Sequence, residues 1–449
     1  MQASASQNVE VAFANIQKWN HSLNALFSPC KETAMARAKS LDNRAAQGLY
    51  DGVLAGMTVS LKDNIDWVGT PTTGASPLYA DQYPKRNAFV VDRLLGQGAV
   101  IVGKANLHEL VFGPTSQSQH FGPVKNPWNL SHIAGGSSGG SGASVASNMC
   151  QVSIGSDTAG SIRIPAAFNG VCGLRPTSGR ISNHGTIGVS AKFDTLGPLA
   201  RRVQDVARVF YSIAGHDPQD PCSEHYATPM LPTDWGEIKG LRIGIPKNFF
   251  FEDIAPEVNA AIGLATAQLA SLGAQLIPIE LHDVERAQEM LAFRIILADA
   301  FHLYRERLAS QPEAFGDDLK IRFDIGANVQ GWEYAQALRW IEQWRQTLKS
   351  VFMDVDVLLT PTIATPAPAV ADAEYGNAIR SIPRFTCAFA AAGIPSMALP
   401  CGFSSDGLPL SMQVASSWGN EDLLFDVGAA FQNITDFHLR EPQLSSVTS

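Results

Sequence analysis

Leu241-Arg242-Ile243-Gly244-Ile245, a helical stretch from Pro256 to about Leu272, Gly273, and then Gln275 to Ile279: residues 241–279 decide the fold class. Proline at a helix start and glycine just past its end are start and stop signals. The short apolar runs on either side read as strands, so the whole is a βαβ unit with a parallel pair. The same phrase stands upstream, as Val91-Asp92-Arg93-Leu94-Leu95, Gly98 and Ala99-Val100-Ile101-Val102. A third helix, about Trp332 to Phe352, leads into Val355 to Leu359, which Pro361 stops. Strands alternating with helices predict an α/β chain: a single α/β/α domain with a large mixed β-sheet covered by helices on both faces.

By length alone, 449 residues would allow about three domains. The expected organisation is nevertheless one domain over 1–449, with a core over about 50–215 and the C-terminal half of the same sheet over 241–435. Between them, 215–240 reads as a surface connection, since Pro218, Pro221, Pro229 and Pro232 crowd among Asp and Ser. Phe385 to Ser405 carries no charge and is long enough to span a bilayer. Gly393, Pro395 and Pro400 interrupt it, so a buried helix-turn-strand is expected there.

Composition narrows the function. Hydrophobic residues at 45% and charged residues at 17% describe a chain with a large core and exclude disorder over most of its length. Lys plus Arg number 33 against 42 Asp plus Glu, a net charge of −9, which argues against a nucleic-acid-binding surface. The six cysteines form no C-x-x-C pair, which leaves out a zinc ribbon or a dithiol redox motif. They read as reduced packing residues, and Met1-Gln2-Ala3-Ser4-Ala5 shows no signal-peptide pattern, so a cytoplasmic protein is expected.

The chemistry concentrates in two segments. Gly135-Gly136-Ser137-Ser138-Gly139-Gly140-Ser141-Gly142 has no lysine of a P-loop, and no clear strand precedes it as a nucleophile elbow would require. Its apolar flanks make it a buried loop whose small residues let backbone approach closely. Gly155-Ser156-Asp157-Thr158-Ala159-Gly160-Ser161-Ile162-Arg163-Ile164-Pro165 follows the strand Val152-Ser153-Ile154. Its turn can gather backbone N–H groups around an oxyanion while the Ser161 hydroxyl attacks. A serine nucleophile needs a base. His132 and His184 lie nearest in sequence without a triad context, whereas Lys62 and Lys104 each end an apolar strand. On pattern alone both lysines read as strand-end residues reaching water.

Taken together, Lys62 in its strand, the glycine-serine block and the Ser161 block resemble the amidase signature family. Supporting fragments lie in order: Gly103 to Leu110, Gly122 to Trp128, Gly173 to Thr177, Gly197-Pro198, Leu399 to Phe403 and Gly407 to Pro409. Roughly residues 50 to 430 are covered. The resemblance implies a Ser–cis-Ser–Lys triad, and Ser137 and Ser161 stand 24 residues apart as that family's motif requires. It implies Ser161 as nucleophile, Lys62 as base and Ser137 as relay in a cis peptide. Thr158, Ala159, Gly160 and Ser161 would supply a backbone oxyanion hole. Ser138, Asp157 and Arg163 would support the site, and Ile164 would line the acyl pocket. It replaces the strand-end reading for Lys62 and leaves it for Lys104. A lysine ordinarily titrates near about 10.4, so this base must be desolvated to work near neutrality. No metal and no cofactor are implied.

The expected function is an amidohydrolase that cleaves the C–N bond of a small or medium linear carboxamide to acid plus ammonia. The alternative is the A subunit of a glutamine-dependent tRNA amidotransferase. Ile164 where amidotransferase subunits carry Gln, Pro383 in place of their acidic glutamine-binding residue, and Ala390 in place of an Asn all count against that alternative. Expected partners are therefore a small-molecule amide substrate, no nucleic acid and no membrane, with a homodimer left open.

Overall fold

The computed structural model describes residues 3–227, 231–232, 234–373, 378 and 380–444; Met1, Gln2 and Pro229 lie outside them. The 241–279 stretch forms the expected unit. Strand β6 (Arg242–Pro246) pairs in parallel with β7 (Gln275–Ile279), Arg242 opposite Gln275 and Pro246 opposite Ile279. Between them runs the helix Pro256–Ser271 with proline in its first turn. Gly273 takes a φ of +95°, which turns the chain back. The upstream phrase does the same, with the helix Phe89–Gly96 preceding β2 (Val100–Ala105), which lies parallel to β1 (Thr58–Lys62).

Six further strands join these four: β3 (Val152–Asp157), β4 (Cys172–Arg175), β5 (Thr195–Ala200), β8 (Val357–Pro361), β9 (Ser396–Phe403) and β10 (Pro409–Ser416). They make one ten-stranded sheet in the order β7-β6-β8-β10-β9-β4-β5-β3-β1-β2. Pairings are parallel at both ends and antiparallel through the middle, so the sheet is mixed. Strands β1, β2, β3 and β5 are buried at every residue, which requires cover on both faces.

That cover is helical. On one face Val59, Leu61, Ile154 and Leu196 pack with Val91 and Leu94, with Phe210 of the helix Val203–Ile213, and with Phe425 of the helix Glu421–Ile434. Toward the other, Leu358 and Ala415 join Trp340 and Trp344 of the helix Gly331–Asp354 and Phe389 of the helix Thr386–Ala392. Val100 and Val102 join Val145 of the helix Gly139–Ala146 and the N-terminal helices Ala5–Leu23 and Lys31–Ala46. The uncharged run at 385–405 is a buried helix, a left-handed turn at Gly393 and strand β9. Among the described residues no helix is long and apolar enough to cross a membrane. Along the 215–240 stretch, buried Asp217 and Asp220 accept from the Ser182 hydroxyl and the Asn183 N–H, while Trp235 packs on Phe425.

Candidate active site

Strand alternation sets the first piece. In β1, Val59 and Leu61 enter a hydrophobic core, so Ser60 and Lys62 point to the opposite face. There Ser60 Oγ meets Ser153 Oγ at 2.8 Å and Ser144 Oγ at 3.3 Å. Lys62 is wholly buried, with Nζ 2.7 Å from Ser137 Oγ and 2.8 Å from Ser156 Oγ. Burial drives its pKa well below the ordinary lysine value, against the weaker opposing pull of Asp157 and Asp194.

Lys104 contrasts with it. The strand-end reading, which has this lysine reaching water, is overturned: Lys104 is fully buried, its Nζ 2.7 Å from an Asp63 carboxylate oxygen. It also donates to the Pro71 carbonyl at 3.1 Å. Two buried lysines thus end neighbouring strands, and the one with an ion-pair partner is Lys104.

The glycine-serine block is buried throughout, and from Gly139 on it is helical. Close approach of neighbouring backbone explains the glycines. A Cβ on Gly136 would stand 2.6 Å from the Gly113 carbonyl oxygen, and one on Gly140 2.4 Å from that of Ala25. The Gly136–Ser137 peptide bond is cis. Ser138 clamps the end of β3, its hydroxyl donating to the Ser156 carbonyl at 3.1 Å and accepting from the Ser156 N–H at 3.3 Å. Its own N–H donates to the Ser161 carbonyl at 3.2 Å, which brings the two segments side by side. A short strand, Asn129–Ile133, does precede the glycines, but it pairs with Lys125–Asn126, outside the large sheet.

At the end of β3 the buried Asp157 carboxylate accepts from Arg163 at 3.0 and 3.1 Å, from Arg175 at 3.1 Å and from the Ile162 N–H at 3.2 Å. Burial pushes this carboxyl up, but the Arg163 and Arg175 guanidiniums outweigh it and hold the pKa well below the carboxylate range. The turn that follows is pinned twice: Thr158 Oγ1 donates to Asp194 at 2.5 Å, and Thr386 Oγ1 donates to the Ala159 carbonyl at 2.6 Å. At Gly160, φ is +145° and a Cβ would lie 2.2 Å from Thr386 Oγ1, so only glycine fits. Among the described residues, the N–H groups of Ala159, Gly160 and Ser161 have no protein acceptor. They are available to an oxyanion.

These pieces wall one cleft. Gly136, Thr158, Ala159, Gly160, Ser161 and Ile164 line it, joined by Val111, Phe112, Leu297, Pro383 and Arg322. Arg322 is the cation of this lining, and its guanidinium also lies 2.9 Å from Asp318. The cleft gathers the sequence candidates Thr158 to Ser161 and Ile164; Lys62, Ser137, Ser138, Asp157 and Arg163 stand behind its wall in the contacts above. His132 lies on the short outer strand and His184 stands 3.9 Å from Asp217, and neither lines the cleft. Sequence reasoning missed Ser156, Arg175, Asp194, Arg322 and Thr386. Ser156 was legible as the neighbour of Asp157, and Arg175 stands within the Gly173 to Thr177 fragment; Asp194, Arg322 and Thr386 come from distant segments with no spacing to flag them.

Comparison with known proteins follows the same line. The family model described as Amidase matches residues 7–425. The A subunit of the glutamyl-tRNA(Gln) amidotransferase of Synechococcus sp. (strain RCC307) is 35% identical, with 98% of this chain and 96% of that protein covered. One solved structure is described as "An unexpected vestigial protein complex reveals the evolutionary origins of an s-triazine catabolic enzyme"; it superposes with a TM-score of 0.90 at 33% identity, covering 96% of this chain and 95% of its own. The peptide amidase from Stenotrophomonas maltophilia superposes at 0.84 with 27% identity, covering 99% and 96%. One expectation is corrected here. Relatives spanning nearly the whole chain are subunits whose name carries a glutamyl-tRNA, so the reading of a small-molecule amide as sole partner, with nucleic acid excluded, is withdrawn. The match over residues 7–425 and the relatives' full-length identity lead to one conclusion: this chain belongs to the Amidase family, the amidase signature enzymes.

Proposed function

We propose that this chain is the amide-cleaving A subunit of a glutamine-dependent amidotransferase, releasing ammonia for a glutamyl-tRNA acceptor of the kind its relatives' name gives. The observation that carries amide cleavage is Lys62: buried, 2.7 Å from the Ser137 hydroxyl, and with its pKa driven well below the ordinary lysine value by desolvation. Neutral Lys62 takes the Ser137 proton as Ser137 takes that of Ser161, and Ser161 Oγ attacks the amide carbon. The N–H groups of the 158–161 turn receive the oxyanion, with Asp157 and Arg163 bracing that turn. The relay then returns the proton to the leaving nitrogen, ammonia departs, and water releases the acyl group from Ser161. Ile164 lines the acyl side, and the Arg322 guanidinium in the wall suits the carboxylate of glutamine. The six cysteines are all free, in keeping with a cytoplasmic setting.

A second reading is favoured by Ile164 and Pro383, which put two apolar side chains where a polar amide substrate would be gripped. In it the same chain hydrolyses another carboxamide, and the ammonia is simply released. Ammonia assays on the purified chain, with Ser161→Ala as control, separate the two. Release from glutamine above release from acetamide, benzamide and ureido compounds supports the amidotransferase reading. Release from those compounds and none from glutamine supports the second. No ammonia from any of them, with or without co-expressed partner subunits, would refute both.

A further inference from the structure

Behind the cleft lies a buried imidazole that the proposed chemistry does not use. His108 is fully buried, and its backbone N–H donates to the Ser137 carbonyl at 3.0 Å. The same carbonyl accepts from Ser116 Oγ at 3.3 Å, and that hydroxyl in turn accepts from the Gly139 N–H at 3.1 Å. The His108 ring holds both ends of this arrangement. Nδ1 accepts from the Ser116 N–H at 3.1 Å, while Nε2 stands 2.9 Å from Asp318 Oδ2. Asp318 is 2.9 Å from an Arg322 nitrogen on the same helix, Asp317–Ala327, and Arg322 lines the cleft.

The contacts dictate the tautomer. An N–H directed at Nδ1 requires a lone pair there, so the ring proton resides on Nε2 and is donated to Asp318. Burial, opposing the pull of Asp318, also favours the uncharged ring. The ring abuts Gly113, where a Cβ would lie 2.3 Å from it. We propose that His108 is a positioning residue that holds two parts of the site in register, the Ser137 segment through Ser116 and the Arg322 wall through Asp318. The inference rests on the Ser161–Ser137–Lys62 reading.

Because the ring's two nitrogens have separate jobs, two substitutions divide them. In His108→Asn the amide oxygen stands near the Nδ1 position and keeps the bond from Ser116, but Asp318 loses the imidazole donor and keeps only Arg322 of these two partners. In His108→Gln the amide nitrogen stands near the Nε2 position and keeps Asp318, but Ser116 loses its acceptor. The probe is a small fluorophosphonate, whose fluoride is displaced by Ser161 Oγ; its saturation kinetics give a binding constant and a maximal labelling rate. His108→Asn should weaken binding about 10-fold with the labelling rate held within about 3-fold, and His108→Gln should slow labelling about 10- to 100-fold with binding held. Should either variant lose its cooperative thermal transition, Asp318→Asn and Ser116→Ala are measured instead, the first expected to change binding and the second the rate. Equal effects on both constants, or none, would overturn the inference while leaving the triad reading intact. A wild-type chain that is not labelled on Ser161 would overturn that reading, and the inference with it.

Discussion

Lys62 Nζ stands 2.8 Å from the Ser156 hydroxyl while it stands 2.7 Å from that of Ser137, so one buried amine is shared by two hydroxyls. A neutral amine has two N–H donors and one lone pair. An N–H donated to Ser156 leaves the lone pair for the Ser137 proton, and Ser156 thereby orients the base. Ser156→Ala should lower kcat about 10- to 100-fold with KM nearly unchanged. Steady-state kinetics on the best amide substrate checks this; an unchanged kcat would remove Ser156 from the proton path.

Activity should climb with pH. The lysine is a base only when neutral, and its pKa lies well below the ordinary value because it is desolvated. The active form therefore dominates above that depressed pKa and is lost as pH falls through it. Lys62→Arg should cost about 10³-fold or more at every pH, because guanidinium stays protonated. A pH profile of kcat/KM for both proteins is the measurement, and a flat wild-type profile from pH 5 to 9 would count against the assignment.

Stability carries the mark of the same lysine. Between the depressed folded pKa and the ordinary value near about 10.4, unfolding lets Lys62 take up a proton, which favours the unfolded state. That penalty is full at low pH and fades as pH rises toward the unfolded pKa. The difference in Tm between Lys62→Met and wild type should accordingly shift in favour of wild type as pH rises from 7 to 10. Thermal melts at three pH values decide it.

At the start of the 158–161 turn Asp157 pairs with Arg163 and Arg175, all three being buried. Asp157→Asn leaves two guanidiniums without their counter-charge. It should destabilise the fold by about 3–5 kcal/mol, read by chemical denaturation. A loss below about 1 kcal/mol would mean that the arginines find other partners.

Glu109 makes a distinct pH prediction. Burial raises its carboxyl to about 7, although the Gly316 N–H and Ser76 Oγ both donate to it. A raised carboxyl pKa contributes stability that is full below the unfolded value and lost as pH rises through about 7. Glu109→Gln copies the protonated form. It should be near neutral at pH 5 and stabilising at pH 8.5, by on the order of 3 kcal/mol at most. Equal Tm differences at the two pH values would contradict it.

Much of the fold was legible because its signals are local. Pro256 and Gly273 bracket a helix whatever lies elsewhere in the chain, and Gly393 with Pro395 and Pro400 breaks the apolar run at 385–405. The two lysines were not separable in this way. Lys62 and Lys104 end similar strands, and what distinguishes them is that Asp63, next to Lys62 in the chain, turns to Lys104 across the β1–β2 pairing. Only the register of that pairing tells which lysine is left without a carboxylate. Arg322 reaches the cleft, and Thr386 the turn in its wall, from helices far along the chain, through packing that no spacing encodes. The choice between hydrolase and amidotransferase component turns on a related contrast: Ile164 and Pro383, on which the hydrolase expectation rests, are single positions, whereas the similarity to amidotransferase subunits over nearly the whole chain weighs every position at once and supports the reading proposed above.

The most direct test of Ser161 as nucleophile is peptide mapping by mass spectrometry after reaction with a serine-reactive phosphonate. The phosphonyl group should be found on Ser161, be absent from Ser161→Ala, and form far more slowly in Lys62→Ala. An adduct on Ser137 with Ser161 unmodified would contradict the assignment and move the nucleophile into the glycine-serine block.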